Sequence, residues 1–149
     1  MPLDLNDNII KNVRVLILKK EGGKMFFLLT QEFYGGYYTL PGGCKDAEDA
    51  DLRAALHREL REELGLDPED YTITDAHIQK EYANLYDFPP ERAGKKTAVS
   101  LFIVSGLKKE PAPSAEIKGV VWLTAEEAIG AFNVSHMKEL FQMALNKIT

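Results

Sequence analysis

The chain has a single cysteine, Cys44, so no internal disulfide can form and the fold must rest on apolar packing. No apolar run approaches the roughly 18 residues that a membrane span needs. The opening MPLDLNDNII has neither the basic segment nor the apolar centre of a secretory signal, and a cytoplasmic protein is expected. Positive charge is in deficit. With 18 Lys and Arg against 23 Asp and Glu, the net charge of −5 argues against a surface that binds nucleic acid through bulk electrostatics. His57, His77 and His136 lack metal-ligand spacing, and Cys44 has no His-Asn or His-Asp companion pattern nearby, so a small structural cysteine is expected. Internal repeats, low-complexity tracts and linkers are missing too.

What remains suits one soluble globular domain over residues 1–149, with 45% hydrophobic and 28% charged residues. Asn12 to Lys19 is rich in Val, Ile and Leu; the turn Glu21-Gly22-Gly23-Lys24 returns it as Met25 to Gln31, predicting a hairpin. A short extended piece, Tyr37 to Leu40, leads to a Pro41-Gly42-Gly43 turn. Further strands are predicted at Thr72 to Glu81, Thr97 to Ser105 and Gly119 to Leu123, the last with Trp122 as a core anchor. Thr124-Ala125-Glu126-Glu127 is a capping box opening a short helix to about Ala131, and Ser135 can cap a final helix with an apolar stripe from Met137 to Ile148.

The organising stretch is Pro41 to Leu66, PGGCKDAEDADLRAALHRELREELGL. At about 100° per residue, Glu59, Glu62 and Glu63 share one helical arc, and Leu52, Leu56, Leu60 and Leu64 occupy the adjoining one. Arg58 and Arg61 are expected to point mostly away from that seam. Like charges at this spacing, near a helix C-terminus, oppose both one another and the macrodipole, so helix stability does not explain them. Clustered oxygen donors suit a hard cation such as Mg²⁺, which also binds substrate phosphates.

This stretch resembles the box of the Nudix hydrolases: Gly, five residues, Glu, seven residues, then Arg-Glu-aliphatic-x-Glu-Glu-x-Gly-aliphatic. Arg58 to Leu66 matches every fixed position of the second half. The first half departs from it. Counting from Gly43 brings Asp49 to the Glu position, with eight residues before Arg58, and whether Glu48 or Asp49 joins the site stays open. The resemblance implies an α+β fold, an α/β/α sandwich on a mixed central sheet. It further implies two or three Mg²⁺ or Mn²⁺ ions held by Glu59, Glu62, Glu63 and the Gly43 carbonyl, with Glu59 and Glu63 as the principal ligands. Glu62 would serve as ligand or general base, although the base assignment stays open among the glutamates. Arg58 would orient the glutamates. Many family members carry an acid shortly before a late strand, which brings Glu116 into the candidate metal set.

The segment Tyr82 to Lys96, broken by Pro89-Pro90 and Gly94, is long for a connection and mixes aromatics with cations. Tyr82 and Tyr86 are candidates to stack a base, and Arg92, Lys95 and Lys96 to hold phosphates; packing on the core is the competing reading. Tyr86-Asp87-Phe88-Pro89 also resembles a stretch of the dinucleoside tetraphosphate hydrolase and RNA pyrophosphohydrolase branches. The implied activity is metal-dependent hydrolysis of a phosphoanhydride bond in a nucleoside diphosphate linked to another group, water attacking phosphorus. A dinucleoside polyphosphate or a nucleoside triphosphate is favoured. A non-catalytic nucleotide-sensing domain of the same fold is the alternative. The expected partner is a small-molecule nucleotide; monomer and homodimer both stay open.

Overall fold

The structure, a computed structural model, describes residues 9–33, 35–83 and 93–148. Seven strands, β1 (Ile9–Glu21), β2 (Lys24–Glu32), β3 (Tyr38–Thr39), β4 (Gly42–Cys44), β5 (Thr72–Ala83), β6 (Lys96–Ser105) and β7 (Ile117–Leu123), form one mixed sheet. Its helices are α1 (Leu52–Leu64), α2 (Ala125–Ala131) and α3 (Ser135–Ile148).

β1 is the hub, and it changes partners along its length. From Ile9 to Ile17 it pairs in parallel with β6, while from Leu18 to Glu21 it pairs antiparallel with β2. On the edge that β2 leaves vacant, Asn12, Val13 and Arg14 pair with Cys44, Gly43 and Gly42 of β4. The glycine turn expected from sequence is therefore also a short strand wedged into the fork of the sheet. Strand order is β3-β2-β1-β6-β5, with β7 beside β2.

Alternation along β1 feeds two cores. Val13, Val15 and Ile17 face α1, packing with Leu56, Leu60 and Leu64. Leu16 faces the other way, toward Ala128 of α2 and Leu140 and Phe141 of α3. Both faces of the strand are covered, so it reads as a near-continuous apolar run rather than an alternating one. The expected α/β/α sandwich is what forms. Thr124 does close a capping box with Glu127, whereas Ser135 is the first residue inside α3 and not the cap before it.

Trp122 is a correction. It is only half-buried at the rim of the α1-side core, with its indole N–H donating to Glu110 and Lys19 Nζ lying 4.2 Å over its ring. Gly119 to Leu123 continues an edge pairing with β2, so this position meets the sheet margin instead of its centre.

Candidate active site

Helix α1 is fixed at both ends by residues the chain supplies locally. Asp51 caps its start, accepting from the Ala54 N–H at 2.8 Å. Gly65 ends it in the left-handed region at φ 66°, where its N–H reaches Arg61 O and the Leu66 N–H reaches Leu60 O. Burial of Leu56, Leu60 and Leu64 then sets the rotation of the helix about its axis. That rotation turns Glu59 and Glu63, one turn apart, onto β4.

The two carboxylates meet the two glycines in different ways. The Gly42 N–H donates to Glu63 Oε1 at 3.0 Å. Glu59 occupies the space above Gly43: a Cβ at that position would lie 2.7 Å from Glu59 Cδ and closer still to Oε1. Gly42 itself is held at φ 142°, and a Cβ there would lie 2.9 Å from Arg14 Cα and closer still to the Val13 carbonyl oxygen, so no side chain fits.

Burial dominates the electrostatics. Glu63 is 6% exposed, and its loss of solvent pushes the carboxyl up to about 8, with Glu59 and Glu32 pushing the same way against Arg14 and the Gly42 N–H. Burial raises Glu59 as well, and neighbouring Glu62 adds to it, against Arg58 and Arg14. Two buried like-charged carboxyls side by side are costly as a resting arrangement.

Arg58 corrects the expectation that it points away from the leucine seam. Its side chain, only 19% exposed, folds back along the helix toward the glycine turn and bonds Asp49, Glu59, Glu62 and the Cys44 carbonyl, with Asp46 at 3.5 Å. Burial opposes its charge, yet the Asp49 hydrogen bonds and the surrounding acids hold it above the usual arginine range. In return, Arg58 outweighs the burial of Asp49 and holds that carboxyl below its usual range. Asp49, which stands at the Glu position of the box counted from Gly43, is thus bonded to Arg58. Arg61 does point outward, to Asp67.

The remaining sequence candidates are dispersed. Glu62 is 42% exposed and tied to Arg58. Glu116 is exposed on the loop whose Ser114 N–H bonds the Glu63 carbonyl. Among the described residues, no three His, Cys, Asp or Glu side chains converge closely enough to hold a metal ion, so the acids implied from sequence are not gathered as one cluster. Tyr82 faces α3, its hydroxyl donating to Glu139 at 2.8 Å and its ring 5.3 Å from that of His136. Lys95 precedes β6 and Lys96 opens it, opposite Ile9 and Ala83. Tyr86 and Arg92 lie outside the described residues.

Sequence reasoning missed Arg14, Asn12 and Glu32. Arg14 donates from Nη1 to the Leu40 carbonyl at 2.9 Å and from Nε to Asn12 Oδ1 at 3.0 Å. Its charge reaches Glu59, Glu63 and His136 alike. A signal was available: Asn12 and Arg14 alternate with Val13 and Val15 at the head of a run that is apolar from Val15 to Leu18.

Glu59 and Glu63 are oxygen donors of the kind a hard divalent cation takes, gathered here as a pair. Glu59 and Glu63 offer buried oxygens with raised proton affinity, and the bare α-carbon of Gly43 leaves the space Glu59 uses.

The chain matches the NUDIX domain family over residues 9–143. No curated protein matches it by sequence. Among solved structures, an Ap4A hydrolase from C. elegans in a binary complex is similar with TM-score 0.73 and 26% identity, covering 90% of this chain and 93% of that one. The dihydroneopterin triphosphate pyrophosphohydrolase of E. coli shares the fold at TM-score 0.74 and 18% identity, covering 91% of this chain and 95% of its own. The NUDIX domain of Shewanella oneidensis NrtR, complexed with ADP ribose, does so at TM-score 0.75 and 17% identity, with 94% and 88% covered. With the family matched across nearly all of the described residues and its fold reproduced, the chain belongs to the Nudix family of pyrophosphohydrolases.

Proposed function

We propose that this protein, as a single domain acting on soluble nucleotides in the cytoplasm, hydrolyses a phosphoanhydride bond in a nucleoside diphosphate linked to a second group. A dinucleoside polyphosphate or a nucleoside triphosphate is the favoured substrate. The observation that carries this reading is the packing of Glu59 and Glu63 against Gly42 and Gly43, two buried acids placed one helical turn apart on a glycine-lined strand. The 26% identity to the C. elegans Ap4A hydrolase supports the dinucleoside polyphosphate choice.

Glu59, Glu63 and the Gly43 carbonyl would hold Mg²⁺ or Mn²⁺, with Glu62 completing the set from the rim and Glu116 able to join only by turning inward from its loop. Such ions, when bound, neutralise phosphate oxygens and make a water acidic enough to attack phosphorus. The chain's own contribution is positioning. The Gly42 N–H fixes one Glu63 oxygen and leaves the other for coordination. Arg58, anchored on Asp49, holds Glu59 and Glu62 at 3.1 and 3.2 Å. Glu62, the more exposed acid, has the solvent access that a proton acceptor needs. Tyr82, Lys95 and Lys96, with Tyr86 and Arg92, would receive the nucleoside and outer phosphates, Tyr82 from the position that Glu139 fixes.

The test is a panel of dinucleoside polyphosphates, nucleoside triphosphates, nucleotide sugars and capped RNA, run with Mg²⁺ in ¹⁸O-labelled water with product masses recorded. Label in a phosphate product, fastest from a dinucleoside polyphosphate or triphosphate, supports the reading. Tight nucleotide binding with no turnover on any member sinks it in favour of a nucleotide-sensing domain.

A further inference from the structure

We infer that the lysine-lined cleft at the C-terminal end of β1 is a second anion site, which takes a ligand carrying two or more phosphate groups and is separate from the acids of the active site.

The cleft has a volume of about 470 Å³, within the range of small-molecule sites, and lies between the end of β1, the segment after β6, and β7. Lys19, Lys20, Lys108 and Lys109 line it together with Trp122, against a single carboxylate among the described residues, Glu110. In a chain of net charge −5 this is a local excess of positive charge. None of the active-site acids lines it. Lys20 stands six positions along β1 from Arg14, the partner of Gly42, which is about 20 Å of strand.

The walls are fixed from both sides. Pairing of β1 with β2 sets Lys19 opposite Phe26 and Lys20 opposite Met25. Facing them, the Lys108 N–H donates to the Asp70 carbonyl at 2.8 Å, and Lys109 Nζ donates to the Gly65 carbonyl at 3.0 Å. The segment after β6 is thereby tied to the end of α1 and to the turn beyond it. Glu110 is engaged by the indole N–H of Trp122 at 3.3 Å.

Ammonium groups gathered round one cleft repel one another, and a bound anion turns that cost into attraction. Glu21, 3.3 Å from Lys19 Nζ, offsets one of the four charges. Lys109 spends a donor on a neutral carbonyl, which orients its ammonium without discharging it. A lysine is a compact charge with three donors, suited to phosphate oxygens, and several round one cleft suit a ligand with more than one phosphate. The Trp122 ring already carries Lys19 Nζ at 4.2 Å, so a base could stack there only by displacing that cation. The cleft therefore selects the phosphates of its ligand, whether these come from a free polyphosphate or from a nucleotide.

Trp122 is the chain's only tryptophan and stands in the cleft wall, so intrinsic fluorescence reports on this place directly. The test titrates the full chain with tripolyphosphate, with ADP and with sulfate, at fixed ionic strength and with EDTA to remove divalent ions. A saturable change with tripolyphosphate or ADP is expected, at concentrations where sulfate gives none, and the tighter of the two names the source. Lys20→Gln combined with Lys108→Gln should weaken that binding by about tenfold or more, while Glu63→Gln leaves it within about twofold. Binding heats under the same conditions decide the matter if the indole signal does not move. No saturation with either phosphate compound, equal binding of sulfate, or undiminished binding by the double lysine variant overturns the assignment. If the double variant does not fold, Lys20→Gln alone decides by the same comparison. None of these readouts involves turnover, so the hydrolase reading and the anion site stand or fall separately.

Discussion

Glu59 fills the volume that a side chain on Gly43 would take, with its Cδ 2.7 Å from the missing Cβ. The adjoining glycine, Gly42, is crowded by backbone instead, by the Val13 carbonyl and Arg14 Cα. Two consecutive glycines thus face obstacles of different stiffness.

From this difference, Gly42→Ala and Gly43→Ala are expected to fail in different assays. At Gly42 the new methyl meets immovable backbone at φ 142°, so Gly42→Ala should lose about 2–4 kcal/mol of stability, read as a lower urea midpoint. At Gly43 the methyl meets the end of a flexible side chain, which can swing away. Gly43→Ala should stay within about 1 kcal/mol of the unaltered protein while losing at least tenfold in Mg²⁺-supported turnover. If Gly43→Ala turns over normally, Glu59 does not work from the position described.

Glu63 yields a prediction in pH. Its carboxyl rises from the usual 4.5 to about 8 on folding, chiefly through burial. The folded state therefore binds the proton more tightly than the unfolded chain. The stability this contributes is complete below about pH 4.5 and is lost as pH climbs toward 8. In the metal-free protein, Glu63→Gln, which cannot ionise, should be more stable than the parent by about 2–4 kcal/mol at pH 8 and nearly equal to it at pH 5. The same variant should lose most of kcat at saturating Mg²⁺. Thermal melts at the two pH values, with EDTA, check the first half, and near-normal turnover would refute the second.

Arg58 is a third case, because its removal strands acids instead of relieving them. Asp49 has a side-chain exposure of 8% and Asp46 of 11%, and both face Arg58. Arg58→Ala leaves them without this partner and should cost about 3 kcal/mol, in the range for breaking a buried ion pair from one side. Arg58→Lys keeps the charge but cannot span Asp49, Glu59 and Glu62 at once, so it should recover much of the stability and little of kcat. Equal recovery of both, measured by denaturation and initial rates, would mean that charge alone is required.

The box helix was legible because its determinants are local: the leucine spacing, the Asp51 cap and the terminating Gly65 act within a few residues of one another. So were the β1–β2 hairpin and the capping box at Thr124. The resemblance to the Nudix box rests on the same local pattern, Arg58 to Leu66. The site's other half was not legible in this way. Tyr82 is an aromatic beside a cationic loop in sequence, and in space it bonds Glu139, 57 positions further on. Glu32 and Arg14 are strand residues, and only the pairing of β1 with β4 brings Arg14 beside Gly42.

The sequence by itself determined that one helix edge would carry Glu59, Glu62 and Glu63, since helical register is a property of spacing. Tertiary structure decided which of them turn inward. The fork at β1 places Gly42 and Gly43 against Glu59 and Glu63, while Arg58 draws Glu62 and Asp49 to itself. Which acid is buried depends on what packs against the helix from residues far away in the chain, and no local pattern contains that information.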